Sequence, residues 1–166
     1  MSDQVTGPGA IDQEIVGVFL DESEELLADV DVQLIALESQ PDDTEALNAV
    51  FRAFHSIKGN SAFFGLMRLK NLAHRLEDVL SLMREGRMCV TTEVMDTLLC
   101  GVDELRAMLS RIRDGAIECP VSCEHKHASL IEKLLTLCSA PHVSSLHPDV
   151  HASGATAGAV KGQVET

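Results

Sequence analysis

The sequence predicts an all-α protein: an antiparallel up-and-down four-helix bundle with an additional fifth helix and a disordered C-terminal tail. Three observations carry that expectation. Apolar residues recur at spacings of three and four along successive segments, the period of helices with one buried stripe each. Hydrophobic residues make up 45% of the chain but aromatic ones only 3%, with no Trp or Tyr, so Leu, Val, Ala and Met do the packing and helices are favoured over a sheet. Pro41, Gly65, Gly86, Gly115 and Pro120 punctuate these segments, and the short connections they leave make sequential helices antiparallel neighbours.

The first helix runs from Ile11 to about Ser39, with Ile15, Val18, Phe19, Leu26, Val30, Leu34 and Leu37 as its stripe. Pro41 ends it. Asp42, with Glu45 three residues later, resembles a capping arrangement opening a second helix through Leu47, Val50, Phe51, Phe54, Ile57 and Phe64, closed by Gly65. A third helix carries Leu69, Leu72, Ala73, Leu76, Val79, Leu80 and Met83 and stops at Gly86. Thr91 is a plausible N-cap for a fourth, which runs through Met95, Leu98, Leu99, Val102, Leu105, Leu109 and Ile112 to Gly115. Beyond Pro120 a shorter fifth helix holds Leu130, Ile131, Leu134, Leu135 and Cys138. Residues 1–10 read as a flexible N-terminus, 11–138 as the bundle, and 139–166 as a tail too rich in Ser, Ala, Gly, Pro and His to bury a core.

Composition narrows the function classes. No apolar run approaches the roughly 18 residues a membrane span needs, and the start of the chain lacks the basic and apolar regions of a signal peptide. Five cysteines, an odd count, argue for reduced thiols rather than a disulfide framework, so a soluble cytoplasmic protein is expected. A net charge of −13 argues against nucleic acid or an anionic membrane as partner. The charge is unevenly spread. Between Glu45 and Glu77 there is no acidic residue, yet Arg52, Lys58, Arg68, Lys70 and Arg75 lie there, a basic patch in an acidic protein.

That patch surrounds the stretch "HSIKGNSAFFG". On a helical wheel the stripe of the second helix centres between Phe54 and Ile57, which puts Lys58 at its margin and His55 further around, partly exposed. Gly59 costs about 1 kcal/mol of helix propensity relative to Ala, and its missing β-carbon gives another surface access to the imidazole. Lys70, His74 and Glu77 share one margin of the third helix. With the turn at about residue 66, an antiparallel pair brings His55 level with Glu77, and Lys58 level with His74 one turn away. A carboxylate that accepts the Nδ1 proton leaves the Nε2 lone pair outward as a nucleophile, with Lys58 available to hold an anionic group attached there. Phosphoryl transfer needs chiefly such positioning and charge neutralisation.

The stretch "HSIKGNSAFFG" followed by "LAHRLEDVLSLMREG" resembles a histidine-containing phosphotransfer (HPt) domain, in particular the amino-terminal one of the chemotaxis histidine kinase CheA. The family pattern is a phosphoacceptor His in H-S-x-K-G, a short turn, then H-x-x-E on the next helix. The acidic first helix "FLDESEELLADVDVQLIALE" is similar as well, so the likeness spans roughly residues 11 to 138. It implies an antiparallel bundle in which His55 is phosphorylated, Glu77 is its hydrogen-bonding partner, Lys58 and His74 are polar neighbours, and Gly59 is the close-approach site. Arg52, Lys70 and Arg75 supply a basic rim for an acidic partner. The resemblance further implies no bound cofactor. A separate histidine kinase catalytic domain would supply the phosphoryl group from Mg-ATP, and a response-regulator receiver aspartate would remove it. The chain has no glycine-rich nucleotide motif for a kinase domain of its own, and "GNSAFFG" departs from the smaller residues usual there.

Two other readings come from the sequence. "CPVSCEHKH" offers Cys119, Cys123, His125 and His127 as metal ligands, although this compact spacing differs from the usual two-pair zinc pattern. A helical scaffold in which His55 is never phosphorylated is the other. His142, His147 and His151, in the tail, read as solvated.

Overall fold

A computed structural model describes residues 13–115 and 121–139, with side chains omitted for 121–124. The described residues form five helices: α1 (Gln13–Ser39), α2 (Thr44–Phe63), α3 (Met67–Arg84), α4 (Thr92–Arg113) and α5 (Val121–Ser139). α1 packs on α2 and α4, α3 packs on α2 and α4, and α5 lies against α3 and α4. The first four thus close a ring, and α5 covers one outer seam. Register confirms the antiparallel order: Phe19 meets Phe64 across α1 and α2, and Asp21 meets Arg113 across α1 and α4. Further along, Arg106 of α4 donates to the Leu27 carbonyl and pairs with Asp31.

The core is aliphatic, as composition requires. Leu27, Leu34 and Leu37 of α1 face Phe54 and Ile57 of α2, Leu72 and Leu76 of α3, and Leu98 and Leu105 of α4, all essentially without solvent contact. Each contributes about 1.5–3 kcal/mol by leaving water. At Gly101 α4 comes close to α3, since a β-carbon there would collide with the Leu76 side chain. The stripe on α1 is shorter than the spacing suggested. Ile15 and Val18 are 52% and 54% exposed, since no described residue covers the outer face of the first turns of α1. Leu135 of α5 is likewise exposed, and Leu134 takes the buried place.

Helix ends follow local chemistry. Asp43, not Asp42, caps α2: its Oδ1 accepts from the backbone N–H groups of Glu45 and Ala46 at 2.9 and 3.0 Å. Two adjacent aspartates are indistinguishable in sequence, and the extended backbone of Asp43 decides between them. Thr91 caps α4 by accepting from Val94 N–H. After α2 the chain reverses through Gly65 at φ 71°, with Leu66 N–H bonded to Ser61 C=O and Gly65 N–H to Ala62 C=O. This paired arrangement needs a left-handed residue, hence glycine. The reversal delivers α3 directly alongside α2. The expectations for residues 1–10, for Cys119 and for the tail with His142, His147 and His151 lie outside the described residues.

Candidate functional site

His55 opens the fourth turn of α2, one residue from the fully buried Phe54 and two from the fully buried Ile57. The helical period therefore turns its ring outward, and the side chain is 63% exposed. Glu77 sits on α3 between Leu76 and Val79, which face the core, so its carboxylate is held in the seam between the two helices and is only 10% exposed. His55 Nδ1 is 2.9 Å from Glu77 Oε1. Lys58 Nζ is 2.5 Å from the other oxygen, Oε2. Burial pushes the Glu77 carboxyl up, but the hydrogen bond to His55 and the pairing with Lys58 outweigh it and hold the group below its ordinary value.

An ionised carboxylate only accepts hydrogen bonds, so the proton between the two groups resides on Nδ1. In the neutral ring the second nitrogen, Nε2, then carries its lone pair toward solvent. Three side chains from two helices thus fix one tautomer and expose one nucleophilic atom. Gly59 is exposed on the next turn of α2, with nothing within 4 Å of where a β-carbon would stand, so the approach to the imidazole is open.

The other residues singled out by sequence divide. His74 is not level with Lys58 in any contact: its Nε2 lies 3.6 Å from Asp78 Oδ1, one turn along its own helix. Arg75 also turns to Asp78, at 2.8 Å. Equal height from the turn placed His74 opposite Lys58, but the long Lys58 side chain reaches back to Glu77 instead and leaves His74 to its helical neighbour. Arg52 is exposed and Lys70 half-buried. Arg68 carries its positive charge near enough to His127 of α5 to disfavour the protonated imidazole there. Within the basic run, Lys58 thus joins the His55 site while Arg75 is paired along its own helix.

Two residues not assigned to the site from sequence adjoin it. Phe51, read as core, is only half-buried and stacks on His55 with ring centroids 6.1 Å apart and planes 20° from parallel. The Arg84 guanidinium stands 4.3 Å from the centre of the Phe51 ring. The four-residue spacing of Phe51 and His55 was a usable signal; Arg84 had none. Of the suggested metal ligands, His125 is exposed and His127 buried. Two positions apart on a helix they leave it in nearly opposite directions. Among the described residues no group of three or more His, Cys, Asp or Glu side chains is placed to hold a metal ion.

Comparison with known proteins agrees with this geometry. The sensor histidine kinase CheAY of Helicobacter pylori is 35% identical over 127 residues, covering 76% of this chain and 16% of that protein. The chemotaxis protein CheA of Bacillus subtilis is 40% identical over 102 residues, 61% of this chain and 15% of its own length. The chain thus spans less than a fifth of these relatives. Among solved structures, the phosphorylated P1 domain of CheA3 in complex with CheY6 from R. sphaeroides superposes with a TM-score of 0.69 at 27% identity, covering 77% of this chain and 98% of that one. The CheA phosphotransferase domain from Thermotoga maritima gives 0.59 at 34% identity, covering 62% and 98%. The sequence pattern of the Hpt domain matches residues 14–115, which takes in α1 to α4 and every member of the His55 site. The chain belongs to the Hpt domain family.

Proposed function

We propose that this chain is the phosphoryl carrier of a chemotaxis-type two-component phosphorelay, with His55 as the residue that is phosphorylated. The supporting observation is the 2.9 Å contact between His55 Nδ1 and Glu77 Oε1, which leaves Nε2 as the one unprotonated nucleophile on an exposed ring. A histidine kinase catalytic domain brings Mg-ATP to this atom. Nε2 attacks the γ-phosphorus, a P–N bond forms, and the P–O bond to the leaving ADP breaks. Nδ1 keeps its proton, so the ring becomes cationic as it takes the phosphoryl group. Glu77 stabilises that positive charge. In the second step a receiver carboxylate oxygen attacks phosphorus, the P–N bond breaks, and the electron pair returns to Nε2.

Lys58 has donors left after pairing with Glu77 and turns one toward the phosphoryl oxygens. Gly59 keeps the approach clear for either partner. Arg52, which is exposed, and Lys70, which is half-buried, add positive charge that favours encounter with an acidic receiver surface. The likeness to a P1 domain solved with CheY6 supports the receiver as partner. No helix among the described residues is long and apolar enough to cross a membrane, in keeping with a cytoplasmic site of action.

The test is incubation of the purified chain with a CheA-type kinase catalytic domain and labelled Mg-ATP. Acid-labile, alkali-stable label is expected on the wild type and on His74→Gln, and is expected to vanish in His55→Gln. Label that persists in His55→Gln would overturn the assignment.

A further inference from the structure

One hydrogen bond does not hold a ring in a plane. Glu77 fixes the position of His55 Nδ1, but a side chain that is 63% exposed remains able to pivot about that contact and about its Cβ–Cγ bond, whose rotational wells are broad. Nε2 is on the far side of the ring from Nδ1, so a tilt of the plane displaces the reacting atom most. In-line attack on phosphorus tolerates little of this, since misplacement by about 1 Å is enough to slow a reaction on the order of a hundredfold.

Phe51 supplies the second constraint. It precedes His55 by one helical turn on the same side of α2, and its ring lies 20° from parallel to the imidazole. Phe51 packs against the core cluster along part of its surface, so its own plane is set by the bundle. The Arg84 guanidinium, from the last turn of α3, then sits 4.3 Å from its ring centre. A cation over an aromatic face is attracted by the ring quadrupole. Phe51 is thereby gripped by both helices that build the site. A leucine would fill the core as well but would present no flat face to the imidazole.

We propose that Phe51, clamped by Arg84, is a positioning residue that sets the plane of the His55 ring and so aims Nε2 at the incoming phosphoryl group. The proposal rests on the phosphoryl-carrier reading above and adds to it a pair of residues that touch no substrate. Glu77 selects the tautomer; Phe51 selects the orientation.

The experiment uses the full chain as wild type, Phe51→Leu, Phe51→Tyr and Arg84→Gln, with circular dichroism to verify the fold. Two readouts are taken. The ring ¹⁵N and ¹H signals of unphosphorylated His55 report tautomer and orientation without any kinase, and single-turnover labelling by a CheA-type kinase domain gives a maximal rate and a half-saturating concentration. Phe51→Leu is expected to shift the His55 ring signals toward averaged values. It should also lower the maximal rate about two- to tenfold, the range an aromatic pair commands, with half-saturation unchanged. Phe51→Tyr, which keeps the flat face, is expected to restore both, and Arg84→Gln to shift the signals in the same direction by less. Wild-type ring signals and rate in Phe51→Leu would overturn the proposal. If Phe51→Leu fails to fold, unaltered ring signals in Arg84→Gln overturn the clamp and shifted ones uphold it. Absence of label on the wild type would defeat the carrier reading alone, because the ring signals still decide the orientation.

Discussion

Glu77 is the residue on which the site turns. It is the one buried carboxylate in the described core, and it is affordable there because a histidine and a lysine meet its two oxygens. Its carboxyl is held below the ordinary value of 4.5, so the stabilisation it brings is fully present above about pH 4.5 and is lost as pH falls through the depressed folded value. Urea unfolding of wild type and Glu77→Gln should therefore differ by a constant amount, about 1 kcal/mol given the exposure of His55, from neutral pH down to about 4.5. Below that the two curves should converge. Lys58→Met is expected to raise the Glu77 value, which a carboxyl ¹³C titration reads directly; no movement would mean that the 2.5 Å pairing contributes nothing. His55 and Glu77 were legible from sequence because both lie on regular helices joined by a short turn, where height follows from counting. The partner of His74 was not legible, because counting fixes the height of a backbone position, not where a side chain goes once Asp78 competes for it.

At the scale of elements, α3 is placed by two glycines of different kinds, Gly65 in the turn from α2 and Gly101 on the facing side of α4. Gly65 has φ 71°, and Gly65→Ala is expected to cost about 1–2 kcal/mol by forcing a β-carbon into the left-handed region. Gly101 has ordinary helical geometry but faces Leu76, one residue before Glu77 in sequence. Gly101→Val should destabilise by about 1–3 kcal/mol through overpacking and, by displacing Leu76, weaken phosphorylation of His55 as well. Thermal unfolding and the labelling assay together separate the two effects: Gly65→Ala lowers the melting temperature with little loss of rate at low temperature. Gly65 announced itself in sequence as a helix stop, whereas Gly101, inside a periodic run, did not. Only the crossing of α3 and α4 makes its missing side chain necessary.

For the whole molecule, α5 is the element added to the four-helix ring, and its docking contains a titratable group. His127 is 8% exposed, and its Nδ1 has no hydrogen-bond partner among the described residues. Burial lowers its basicity first, followed by Arg68 of α3; Glu104 of α4 opposes this and Arg111 of α4 adds to it. A buried imidazole of lowered basicity stabilises the fold fully above its unfolded value, about 6.5, and that contribution falls away as pH drops toward the folded value. The urea midpoint of the wild type should thus decline, as pH falls below about 6.5, more steeply than that of His127→Leu. Equal slopes would show that α5 does not sense pH. Leu134→Ala, at the fully buried contact of the same helix, should cost about 2–5 kcal/mol at any pH.

The sequence by itself determined the helices, their order, their antiparallel pairing and the His55–Glu77 couple, because these follow from local period, turn residues and short connections. Tertiary structure alone decided which of two aspartates caps α2, that Ile15 and Val18 stand exposed, and that Lys58 completes the carboxylate's partners. It also brought Arg84 over Phe51, the aromatic neighbour of the imidazole. These are choices among side chains of equal backbone eligibility, and they are made by competition for one partner in three dimensions, a quantity that spacing along a chain does not contain.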